Sequence, residues 1–149
     1  MQEKSLQNLI AVSRTTESPP IIEVDPLLLE RLEVDRQFQA VGYFVGRIND
    51  EVIDNVNTLL QRLAHVFEFP SYFGFNWNAV KDCLADMSWH PAQGYILIFP
   101  HPEGLGKQDL QDFFDIAQAV SSLWLPDGIP FKLLVPEGTL QGTGASGSS

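Results

Sequence analysis

The chain has 149 residues, of which 44% are hydrophobic and 11% aromatic, so it can form one domain with a substantial core and is not globally disordered. Its 9 basic and 19 acidic residues give a formal net charge of −10. This charge excludes direct binding of nucleic acid and favours either a basic partner or simple solubility.

Residues 1–37 are predicted to be an N-terminal extension that holds a short strand or helix. The stretch IIEV (residues 21–24) is compatible with an extra strand. The next stretch, DPLLLERLEVDR (residues 25–36), is compatible with a short helix that has Pro26 in its first turn. Both possibilities are open at this level.

A strand and a helix are predicted next. The strand covers Phe38–Ile48, because FQAVGYFVGRI is rich in β-branched and aromatic residues and ends at a polar turn. The helix covers Asn49–Phe67, with Asn49 or Asp50 as its N-cap. Its apolar residues recur at steps of three and four, as one face of a helix requires: Val52, Val56, Leu59, Leu60, Leu63 and Val66.

The second half of the chain is predicted to hold two helices and two strands. Asn76 is a good N-cap for a helix over Trp77–Met87, and a second amphipathic helix covers Gly106–Trp124. Gln93–Pro100 and Phe131–Pro136 are nearly continuous apolar runs between turn signals, which is typical of strands covered on both faces.

This order of elements predicts an α/β fold with a small three-stranded parallel sheet packed with helices. The main domain is expected to span residues 38–138. Residues 139–149 are rich in Gly, Ser and Thr and are expected to form a flexible tail.

The segment FPSYFGFNWNAVKDCLADM (residues 69–87) combines an aromatic turn with a helix that carries a central acid. On that helix Asn78, Asp82 and Asp86 lie four residues apart and share an outward face. The opposite stripe is apolar and is expected to face the core: Val80, Cys83, Leu84 and Met87.

Two small residues in this segment, Gly74 and Cys83, are expected to serve the fold. Cys83 is the only cysteine, which rules out an intramolecular disulfide, and it is interpreted as a buried small hydrophobe. Gly74 lies where the chain must turn and is expected to supply a backbone angle that other residues avoid.

The run YFGFNWNAVKDCL resembles the signature of the barstar family of ribonuclease inhibitors. That signature reads aromatic pair, Gly, any residue, Asn, bulky apolar residue, Asp or Asn, Ala, apolar residue, any residue, Asp or Glu, Cys, Leu. The order of the surrounding strands and helices agrees with the family's layout. The resemblance covers about residues 38–137.

The resemblance implies an α/β protein that binds a ribonuclease and blocks its active site. Asp82 matches the carboxylate that enters the phosphate-binding site of the nuclease. Gly74 matches the turn glycine of the inhibitory loop. The residues predicted to bind the partner are Tyr72, Phe73, Gly74, Asn76, Trp77, Asn78, Asp82 and Asp86.

The partner implied is a basic ribonuclease or another toxin protein, and the chain would act as an immunity protein or antitoxin. An alternative remains open, because Asn78 stands where the family commonly has an acid. The chain would then be a barstar-like protein-binding module with a partner that is not a nuclease.

Other functional classes are not supported by motifs. No HExxH, GxGxxG, GxSxG or Walker pattern occurs, so we predict that the chain is not an enzyme and uses no cofactor. His65, His90 and His101 are scattered, and no metal site is predicted. The chain has no signal-peptide pattern and no long apolar run, so it is expected to be cytoplasmic, and a monomer when free.

Overall fold

Four strands and six α-helices follow one another in the computed structural model, which describes residues 2–49 and 52–142. The strands are Ile21–Val24 (β1), Tyr43–Arg47 (β2), Gly94–Ile98 (β3) and Phe131–Pro136 (β4). The helices are Gln2–Ser13 (α1), Pro26–Leu29 (α2), Leu32–Ala40 (α3), Val56–Val66 (α4), Trp77–Asp86 (α5) and Lys107–Trp124 (α6). Short 3-10 turns lie at Pro102–Gly104, Leu125–Asp127 and Leu140–Gly142.

The strands form one parallel sheet in the order β1-β4-β3-β2. The prediction of an α/β fold with a parallel sheet is confirmed, but the prediction of three strands is wrong. The fourth strand is β1, which pairs with β4 so that Ile21 lies opposite Leu133. Hydrogen bonds at both ends fix this pairing, since Leu133 N donates to Pro20 O (2.8 Å) and Glu137 N donates to Val24 O (2.9 Å).

The strand and the helix left open for the N-terminal residues both occur, but the helix expected over residues 25–36 is divided, because α2 ends at Leu29 and α3 begins at Leu32. IIEV forms β1, and the short helix α2 follows with Pro26 at its first position. Asp25 caps α2, because its Oδ1 accepts a hydrogen bond from Leu27 N (3.0 Å).

Helices cover both faces of the sheet, and the two resulting clusters share the central strands. Along β3, Tyr95 and Leu97 point to the cluster made with α4, α5 and α6, whereas Ile96 and Ile98 point to the cluster made with α1, α2 and α3. All five residues of β3 are buried, which confirms the prediction of a strand covered on both faces.

Two predicted boundaries are corrected by the structure. The predicted strand Phe38–Ile48 begins late, because Phe38 is a fully buried residue of α3 and the strand starts at Tyr43. The predicted helix Asn49–Phe67 also begins late. Its N-cap is Asn55, whose side chain accepts a hydrogen bond from Thr58 N (2.9 Å), and not Asn49.

Parts of three other predictions lie outside the described residues. These are Asp50 as the alternative cap, the first residue of the N-terminal extension and residues 143–149 of the tail. Within the described part of the tail, Leu140 N donates to Glu23 Oε2 (2.9 Å), which ties the chain after β4 to the edge strand β1.

A buried lysine holds the N-terminal segment against the sheet. Lys132 in β4 is only 1% exposed, and its Nζ donates to Ser18 O (2.7 Å) and Pro19 O (3.3 Å). Burial lowers the pKa of Lys132 to about 8. The segment between α1 and β1 is therefore fixed by a group whose charge is costly to bury.

None of the helices within the described ranges has both the length and the apolar character that crossing a membrane requires.

Candidate functional site

A series of phenylalanine rings leads from the core to the surface through the loop between α4 and α5. The ring of Phe67 is buried, and successive ring centroids lie 6.1 Å apart to Phe69, 4.9 Å to Phe73 and 4.7 Å to Phe75. Phe73 is 6% exposed, whereas Phe75 is 54% exposed and Tyr72 is 73% exposed. The loop thus presents two aromatic side chains to solvent on a base of packed rings.

The backbone of this loop is strained at a residue that the sequence did not indicate. Phe75 has a φ of 52°, in the left-handed region, whereas Gly74 does not, so the prediction that Gly74 takes this angle is wrong. A bulky residue held in this region costs about 1–3 kcal/mol. A Cβ at position 74 would lie 3.2 Å from Asn76 Nδ2, so a larger residue there would crowd the side chain of Asn76.

Asn76 joins the loop to α5 through both ends of its side-chain amide. Its Oδ1 accepts a hydrogen bond from Ala79 N (2.8 Å), which confirms the predicted N-cap. Its Nδ2 donates to Gly74 O (3.1 Å). The direction of the loop and the start of the helix are therefore set by one residue.

The inner side of α5 is fixed to α6 and to the core. The ring of Trp77 stacks on Phe113, with centroids 5.6 Å apart, and Trp124 Nε1 donates to Leu84 O (2.9 Å). The predicted apolar stripe is confirmed, since each of its members is buried: Val80, Cys83, Leu84 and Met87. Cys83 is a free, buried thiol whose pKa is raised by burial and by the nearby carboxylates of Asp82 and Asp86.

The outer side of α5 exposes the three predicted polar side chains. Asn78, Asp82 and Asp86 are all exposed. Asp82 has no salt-bridge partner in the part of the chain that the structure describes. The only hydrogen bond found for Asp86 among the described residues comes from Ser88 Oγ (3.3 Å). An exposed carboxylate without a partner remains available to an incoming cation.

A shallow cavity of about 320 Å³ joins the loop to this face of α5. Ala79 and Cys83 form part of its wall. The rest of the wall consists of six of the eight predicted site residues: Tyr72, Phe73, Gly74, Asn76, Asn78 and Asp82. Trp77 and Asp86 lie outside its wall. Trp77 faces the core through its stack on Phe113, and Asp86 lies one turn further along α5.

Phe75 was not among the predicted site residues. Its sequence position gave a signal, since it is a large aromatic residue in a turn before a helix cap. Its exposure and its left-handed backbone could not be read from the sequence, because phenylalanine seldom adopts that conformation.

The arrangement contains no feature of a metal centre. Within the described ranges, no group of three or more His, Cys, Asp or Glu side chains could hold a metal ion. The ring of His90 lies edge-on to Phe44, with centroids 4.4 Å apart.

Comparison with known proteins gives a family match that covers most of the chain. The family model described as Barstar (barnase inhibitor) matches residues 43–136, which is more than half of the chain. Searches of curated proteins and of solved structures found no match. The matched residues include β2, β3, β4 and α4–α6. They also include the aromatic loop, which is the segment of residues 67–76 between α4 and α5.

Proposed function

The chain belongs to the barstar family of ribonuclease inhibitors, and from this we propose that it binds a ribonuclease-like toxin and blocks its active site. In this proposal it acts in the cytoplasm as an immunity protein or antitoxin and performs no catalysis itself. The observation that carries the proposal is the exposed carboxylate of Asp82 in a cavity walled by the aromatic loop.

The mechanism is mimicry of a phosphate by a carboxylate. A ribonuclease must place cationic side chains around the phosphate that it cleaves, and these side chains form strong hydrogen bonds with any well-placed anion. Asp82 offers such an anion without a cleavable phosphodiester bond. Because α5 is fixed to α6 through Trp77 and Leu84, the helix backbone that carries Asp82 is held in position before the partner arrives.

The charge distribution supports a basic partner. Residues 38–138 contain 12 acidic and 5 basic residues. An excess of negative charge on the inhibitor accelerates its encounter with a positively charged nuclease, and this acceleration falls as salt is added.

The test is stoichiometric inhibition of a panel of microbial ribonucleases that includes barnase. We expect the wild-type protein to inhibit at least one of them at an equimolar ratio, and Asp82→Ala to weaken that inhibition more than about tenfold, which corresponds to 1.4 kcal/mol. Glu17→Ala, which removes an exposed carboxylate outside the matched residues, is the control and should inhibit like the wild type.

Two results would contradict the proposal. If no ribonuclease of the panel were inhibited, the proposed function would be wrong. If Asp82→Ala inhibited as well as the wild type, the inhibition would not arise from the proposed site.

A second candidate function is a binding module whose partner is not a nuclease. It is favoured by Asn78, which lines the cavity with an amide where the family commonly has an acid. A stable complex with such a partner, together with failure to inhibit the panel, would favour this second function over the first.

A further inference from the structure

Phe75 is an exposed aromatic residue that the free protein holds in a costly conformation. Its φ of 52° is unfavourable for a bulky side chain, and 54% of its surface remains in water. The side chain therefore gains only part of the benefit that burial of a phenylalanine gives. The gain from partial burial of the ring is thus opposed by the strain of the backbone.

The ring is nevertheless held in place. It packs on Phe73, whose own backbone N–H donates to Pro70 O (3.0 Å). On its other side, Asn76 is fixed by its two amide hydrogen bonds to Gly74 O and Ala79 N. An aromatic ring that is exposed but already immobilised loses little conformational entropy when a partner covers it.

The surroundings of Phe75 distinguish it from other exposed apolar residues. Tyr72, which is 73% exposed, lies in the same loop, and the cavity that Tyr72 lines also holds Asp82. By contrast, Leu32 has a similar exposed fraction, 56%, but begins α3, which packs on the opposite face of the sheet. Phe75 itself does not line that cavity, but its ring packs on Phe73, which does.

We propose that Phe75 is a partner-binding residue that selects nucleases with an apolar recess beside their cationic cleft. This inference rests on the proposed function. When Asp82 enters the cationic cleft, Phe75 fills the recess. The covered rings of Phe75 and Tyr72 then exclude water from the charged contact, which strengthens it. Aromatic anchors of this kind contribute a large part of the affinity at protein interfaces.

The experiment uses the full chain and the panel ribonuclease that the wild type inhibits most tightly, with dissociation constants measured for four proteins. Phe75→Asn removes the ring and tolerates the left-handed backbone, because asparagine adopts it readily. Phe75→Tyr keeps the ring, and Leu32→Ala is the control of matched exposure.

We expect Phe75→Asn to weaken binding about tenfold or more, as for an interface hot spot. Its urea midpoint should equal or exceed that of the wild type, because the backbone strain is relieved. Phe75→Tyr and Leu32→Ala should each bind within about threefold of the wild type, which corresponds to under 1 kcal/mol.

The outcomes separate this inference from the proposed function. If the wild type is inhibitory and Asp82→Ala is not, but Phe75→Asn binds like the wild type, only the present inference is wrong. If Phe75→Asn both binds weakly and unfolds at a lower urea concentration, Phe75 is a structural residue and the inference is also wrong. If no ribonuclease is inhibited by the wild type, both proposals fail together.

Discussion

Replacing Lys132 by methionine should change how the stability of the protein depends on pH. Lys132 is buried in β4, and its pKa is about 8 in the folded chain against 10.5 for an ordinary lysine. The folded state therefore binds fewer protons than the unfolded state between these two values. The contribution of Lys132 to the free energy of unfolding consequently rises with pH across this window in the wild type, and it is absent from Lys132→Met.

The size of the effect follows from the shift. One pKa unit corresponds to about 1.4 kcal/mol, so the shift from 10.5 to about 8 amounts to about 3 kcal/mol over the whole window. About 2 kcal/mol of this falls between pH 7.5 and 9.5. The difference in unfolding free energy, wild type minus Lys132→Met, should rise by that amount over this interval.

Urea denaturation at several pH values between 7.5 and 9.5 measures this difference. Other groups also titrate at alkaline pH, among them Cys83, whose pKa is raised by burial, but their contributions are common to both proteins and cancel. Loss of the hydrogen bonds to Ser18 O and Pro19 O adds a term that does not depend on pH. A difference that stayed constant within about 0.5 kcal/mol would refute the reasoning.

Two further predictions concern the candidate site. Asn76→Ala should lower the free energy of unfolding by about 1 kcal/mol in urea denaturation, because α5 loses its cap to Ala79 N; an unchanged value would show that the cap is not important. Cys83 should resist alkylation by iodoacetamide in the folded protein and react once the chain is unfolded in urea, since it is buried and its raised pKa disfavours the thiolate. Modification of Cys83 at equal rates in both states, followed by mass spectrometry, would contradict this.

The central strands and the later helices were predictable because their local signals and their environments agree. The apolar runs around Gly94–Ile98 and Phe131–Pro136 are short and bounded by turn signals, which is typical of strands buried on both faces, and that is where they lie. The period of α6 and the cap of α5 at Asn76 likewise matched the structure. In each of these segments the residue pattern favoured the same secondary structure that the fold requires.

The start of α4 was not predictable, because several local patterns were equally acceptable. Asn49 and Asn55 can both cap a helix, and Val52 fits the helical period. The structure selects the later start through tertiary contact. Ile53 is fully buried outside the helix, and its carbonyl oxygen passes so close to Gly104 that a Cβ there would lie 2.7 Å away. The local sequence does not show that two residues so far apart along the chain come into contact.

The candidate site was predictable in outline and not in detail. Helical spacing alone separated the outward face of Asp82 from the inward face of Cys83, and the structure agrees. The left-handed backbone angle expected at Gly74 is found at Phe75, whose ring packs on the ring of Phe73. Ring packing depends on the distances and angles between the rings, which the sequence pattern does not specify.

The pairing of β1 with β4 has a consequence for how the protein is made. Ile21 lies opposite Leu133, so the strand that is synthesised early must wait for one that is synthesised more than a hundred residues later. Contacts of such long sequence separation slow folding. Until β4 leaves the ribosome, β1 lacks the strand with which it pairs in the sheet. The β1 edge of the sheet should therefore form last, after α5 and α6 have been synthesised.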